Sequence, residues 1–69
     1  MLMYIKKISK DKEQKKVKLV DFTTGGKTLI IEAVFKKEQY FPLQKDDITN
    51  IDIINSLKPI KIQVKKGCY

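Results

Sequence analysis

Residues 28 to 35 read Thr28-Leu29-Ile30-Ile31-Glu32-Ala33-Val34-Phe35, apolar at nearly every position except Glu32. A run of that length and composition is expected of a central strand covered over much of both faces. It makes Ile31 the best core candidate. Just before it, Thr23-Thr24-Gly25-Gly26-Lys27 predicts a tight hairpin, because paired glycines tolerate the positive φ that such a turn demands. The strand on the other side of that turn starts with the alternation Lys16-Val17-Lys18-Leu19 and continues through Val20 and Phe22. Alternation puts Val17 and Leu19 on one face and Lys16, Lys18, Val20 and Phe22 on the other.

Further toward the N-terminus, Leu2-Met3-Tyr4-Ile5-Lys6-Lys7-Ile8 is rich in β-formers, yet both of its alternations are partly apolar, so its inward face is not assigned. Ser9 to Gln14 is wholly polar and reads as the loop joining these two strands. Toward the C-terminus, Gln39-Tyr40-Phe41 reads as a short edge strand stopped by Pro42, which cannot donate to a ladder. In the stretch Asp46 to Leu57, Ile48, Ile51, Ile54 and Leu57 recur every three residues, which matches neither a helix nor a strand, and capping decides. With Thr49 as N-cap, Asp52 falls at the third helical position and Ile48 and Ile53 form a hydrophobic staple. This predicts a helix over 50–57 that buries Ile53, Ile54 and Leu57 and ends before Pro59, with Asp46 and Asp47 favouring its dipole. Ile60-Lys61-Ile62-Gln63-Val64-Lys65 alternates without exception and reads as a half-buried last strand, followed by a loose tail.

The fold class is therefore β-rich: a small all-β barrel, OB-like or SH3-like, or an α+β antiparallel sheet, with four to five strands and one short helix near 50–57. An OB-fold places its helix between the third and fourth strands, which fits only if Gln39 to Phe41 extends strand three. It would also lack a strand at the C-terminus. The 69 residues make a single small domain, and a chain of this size buries only about 60% of its unfolded surface. Stability is thin at that size, so a homodimer is one way to supply more.

Chemistry is narrowed by what the composition lacks. The single Cys68 forms no intramolecular disulfide, points to a reducing compartment, and has no His to activate it. Without His, a zinc site is excluded and acid–base work at neutral pH would fall to a strongly shifted carboxylate or Lys, which no spacing suggests. Gly26-Lys27-Thr28 resembles the end of a P-loop, but position 21 is Asp21 where that motif needs Gly, and a strand rather than a helix follows. Asp46 and Asp47 bring too few oxygen ligands for a divalent cation. No enzyme and no cofactor is expected. No apolar run reaches the length of a membrane span or signal-peptide core, so a cytoplasmic protein without membrane contact is expected.

Charge remains as the positive signal. All fifteen basic residues are Lys, and eight acids leave a net charge of +7. Residues 6 to 18 carry seven Lys, residues 58 to 66 four, and the stretch 38 to 57 is acidic. A small basic domain suggests a polyanion partner, although a Lys-rich, Arg-free composition also follows from AT-rich coding and from protection of edge strands. The absence of Arg weakens base reading at guanine but leaves Lys able to neutralise phosphates. Lys16, Lys18 and Phe22 on one strand face, with Lys61 and Lys65 on the outer face of the last strand, form the candidate nucleic-acid-binding set: charge for a single-stranded backbone, a ring for stacking. The alternative is a protein-interaction or inhibitor module binding an acidic partner surface.

Overall fold

The computed structural model describes residues 2–22 and 29–65. Five strands and one helix follow in the order β1 (Leu2–Lys10), β2 (Gln14–Asp21), β3 (Ile30–Lys36), β4 (Ile48–Asn50), α1 (Ile51–Ser56) and β5 (Lys61–Lys65). All strand pairs are antiparallel, and they form one sheet in the order β4-β1-β2-β3-β5. β3 is interior, as its apolar run implies, between the middle strand β2 and the edge strand β5, and β4 is the other edge. The expected hairpin at Thr23 to Lys27 and the tail with Cys68 lie outside the described residues.

The strands hold their register through side-chain alternation. Val17, Leu19, Ile31, Ala33 and Phe35 are buried on one face, with Met3 and Ile5 of β1 and Ile54 of α1 completing the core. β1 has two apolar alternations because it contains a bulge: Ile5 pairs with Leu19 and Lys7 with Lys18, which leaves Lys6 as the extra residue. One inserted residue switches the facing of everything beyond it. Met3, Ile5 and Ile8 can then all serve the core side, and Ile8 packs against it from its partly buried position. β1 also runs on to Lys10, so the loop expected over Ser9 to Gln14 shrinks to a tight turn in which the Asp11 N–H donates to the Gln14 carbonyl at 2.7 Å.

The core face is covered by the 37–47 connection and α1. Gln39 to Phe41 is not an edge strand: the Gln39 N–H turns back to the Lys36 carbonyl at 3.1 Å, and Phe41 packs on Phe35 with ring centroids 5.2 Å apart. A tilted aromatic contact over the core is worth more to Phe41 than an edge ladder that Pro42 would break. Asp46 and Asp47 belong to a turn rather than to the helix start. The Asp47 carboxylate accepts from the Gln44 N–H at 2.7 Å, Asp46 takes φ 73°, and both backbone N–H and C=O of Ile5 bond to this turn.

α1 starts one residue later than expected. Thr49 pairs with Met3 inside β4 and is buried, so the N-cap is Asn50, whose Oδ1 accepts from the Ile53 N–H at 3.0 Å. That shift buries Ile54, leaves Leu57 half-buried and turns Ile53 outward, and the expected staple pair Ile48 and Ile53 is 54% and 44% exposed. The three-residue apolar period is explained by the same junction, since it runs from a strand into a helix. Six residues are too few for an autonomous helix, so α1 is held by Ile51, Ile54 and Leu57 against the sheet. Because α1 follows β4 rather than β3, the OB-type placement of the helix is not the one observed. The architecture is a five-stranded antiparallel sheet with one short helix.

Candidate nucleic-acid interface

The sheet face turned away from the core is built in rows by the strand register. One row runs Ser9, Lys16, Val34, Lys61; the next runs Lys7, Lys18, Glu32, Gln63; a third runs Ile48, Tyr4, Val20, Ile30, Lys65. Four of the five residues singled out in the sequence, Lys16, Lys18, Lys61 and Lys65, therefore share this face. Same-face neighbours along a strand stand about 7 Å apart, and β2 and β5, with β3 between them, are about 10 Å apart. Those spacings are close to the screening length at physiological salt, so the lysines repel each other only weakly while their fields add at an approaching anion.

Lys7 joins the set without having been singled out. Simple alternation from Met3 and Ile5 would have aimed it at the core, and only the bulge at Lys6 turns it outward. A run of two Lys inside an apolar strand is the signal that such an irregularity is present, since neither Lys can be buried unpaired.

Phe22 lies at one end of the lysine face, two positions beyond Val20 in the row that ends at Lys65, and far from Lys16. It lies in the turn just past β2, its N–H donates to the Leu2 carbonyl at 3.0 Å, and its side chain is 49% exposed. Six residues separate it from Lys16, about 20 Å along the strand. It is thus at the end of β2 opposite the Asp11 to Glu13 turn. Leu2 and Ile48, 47% and 54% exposed, make the same corner apolar.

Two shallow depressions mark the lysine face. One, of about 290 Å³, is lined by Gln14, Lys16, Glu32, Val34, Ile60, Lys61 and Gln63; the other, of about 190 Å³, by Lys7, Ser9, Lys16, Lys18 and Glu32. They share Lys16 and Glu32, so they adjoin along the middle of the sheet. Val34, between Lys16 and Lys61, is only 7% exposed. The methylene stems of long lysines can cover such a residue while their ammonium groups stay in water. Chemically the face offers point cations, one carboxylate, two carboxamides and the hydroxyls of Ser9 and Tyr4, groups that can hold an anion.

Among the described residues, no three His, Cys, Asp or Glu side chains come together as a metal site requires, and no helix is long and apolar enough to cross a membrane. Comparison with protein-family models, with curated proteins and with solved structures finds no match to this chain.

Proposed function

We propose that this chain is a small, non-enzymatic, cytoplasmic nucleic-acid-binding protein that contacts phosphates through Lys16, Lys18, Lys61 and Lys65, with Lys7 as an added contact. One observation carries the reading: the register gathers lysines distant in sequence onto a single sheet face opposite the core. Lys holds phosphate as a point charge and reads bases poorly, so affinity comes from the backbone, single strands are favoured because their bases stay accessible, and sequence preference is small. Titration with single-stranded and duplex oligonucleotides tests it. Log affinity should fall with log salt by about 0.7 for each phosphate neutralised on a single strand. Replacing Lys16, Lys18, Lys61 and Lys65 together by Ala should abolish binding without unfolding the chain, since none of these side chains belongs to the core. Wild-type protein that binds no oligonucleotide at low salt would end this reading.

A second reading, docking on an acidic protein surface, is favoured by the exposed corner of Leu2, Phe22 and Ile48 on the side of the sheet that bears the lysines. Nucleic-acid backbones make no use of Leu and Ile, whereas protein interfaces do. Pull-down from extract, paired with the oligonucleotide titration, separates the two.

A further inference from the structure

We propose that Glu32, with Gln63 beside it, makes this face prefer nucleobases that carry an exocyclic amino group, so that it distinguishes cytosine from thymine in a single strand. The inference rests on the phosphate-binding reading above and refines its small sequence preference. Glu32 is the only acid among the described residues lining the two depressions, and it lines both. The register puts it directly between Lys18 and Gln63, in the middle of the lysine rows. A carboxylate there repels phosphate. With Lys7, Lys16 and Lys18 lining the same depression, a strand that crosses the face is held best with its phosphates over the lysines and a base over Glu32.

The two central side chains differ in what they offer. A carboxylate only accepts hydrogen bonds, whereas a carboxamide both donates and accepts. Cytosine places its N4 amino group beside the N3 acceptor, so N4 can donate to Glu32 while the Gln63 amide donates to N3. Adenine presents the same order of donor and acceptor at N6 and N1. Thymine puts the O4 acceptor where cytosine has N4 and an N3–H donor where cytosine has an acceptor, so in the same pose its lone pairs face the carboxylate and its N3–H faces the Gln63 amino group. Rejection of thymine thus comes from an unpaired group as much as from attraction to cytosine.

The test compares the full chain with oligo(dC) and oligo(dT) of equal length, hence equal charge, at neutral pH and low salt, followed by fluorescence anisotropy. Wild-type protein should bind oligo(dC) about tenfold more tightly, the ratio that one good hydrogen-bonded contact supplies. In Glu32→Gln the amide can rotate to donate to O4, so the preference should fall below about twofold, chiefly through tighter binding of oligo(dT). Equal wild-type affinity for the two oligomers overturns this inference and leaves the phosphate reading standing. A preference that survives Glu32→Gln overturns the assignment to Glu32. Failure of wild-type protein to bind either oligomer overturns both readings, and the wild-type comparison decides even where the variant does not fold.

Discussion

On one face of the sheet Val17, Leu19, Ile31, Ala33 and Phe35 lie beneath Phe41, Leu43, Ile51 and Leu57 of the covering layer; on the other, Val20, Ile30 and Val34 alternate with lysines. Both sets are buried, the first between the sheet and its covering layer, the second on the face that bears the lysines. β3 reads as apolar throughout because side chains on both of its faces are buried. An apolar run therefore marks an interior strand, and a face that carries buried valines can still carry the lysines that meet a partner.

The comparison breaks most readily at β3, where the two kinds of burial are neighbours on one strand. Ile31→Ala should cost about 2 to 5 kcal/mol, because it leaves a cavity under a packed layer that cannot fully relax, and that is a large share of the stability of so small a domain. Val34→Ala removes two methyl groups beneath mobile lysine stems and should cost about 1 to 2 kcal/mol at most. Chemical denaturation of the two variants measures the difference. Equal costs would mean that the lysine face hides a second rigid core, and a harmless Ile31→Ala would mean that β3 is wrongly placed.

A smaller effect sharpens the junction between β4 and α1. Asn50→Ala should cost about 1 kcal/mol, the worth of an N-cap oxygen on an otherwise unsatisfied helix N–H. Thr49→Val should cost nothing or stabilise, because the buried Thr49 Oγ1 has no hydrogen-bond partner in the structure and Val removes that unmet demand at nearly constant volume. Were Thr49 the cap, as the spacing to Asp52 had suggested, the two outcomes would be exchanged.

These residues also show where the sequence is legible and where it is not. The alternations at 16–22 and 60–65 are local, and they pair Lys16 with Lys18 on one face of one strand and Lys61 with Lys65 on one face of another, while the register brings the two pairs onto a common side. The bulge at Lys6 is not local: it is defined by which residue of β2 each residue of β1 faces, so Lys7 was missed as a member of the face. β4 is three residues long and owes its existence to pairing with Leu2, Met3 and Tyr4, which no propensity within Ile48 to Asn50 could announce. Gln39 to Phe41 has strand composition and is claimed instead by a contact to Phe35 across the core. In each case a non-local contact overrode a local preference.

A small change in stability is also expected at Phe22, and it decides what the apolar corner does. Phe22 is half exposed, sits one residue past β2, and is tied to β1 through its backbone N–H rather than through its ring. Phe22→Ala should therefore shift stability by no more than about 0.5 kcal/mol, the usual range for a surface position. If a strand laid across the lysines reaches this end of β2, the same substitution should weaken binding to single-stranded DNA or RNA by about 1 to 3 kcal/mol, since a ring stacks on a base without regard to its identity. Thermal melting and oligonucleotide titration of one variant read both quantities. A large loss of stability would make Phe22 a packing residue that extends the core around the sheet edge. Unchanged stability with unchanged nucleic-acid binding would confine the interface to the lysine rows and leave the corner of Leu2, Phe22 and Ile48 to a protein partner, in which case the same variant should lose that partner in a pull-down while retaining the oligonucleotide.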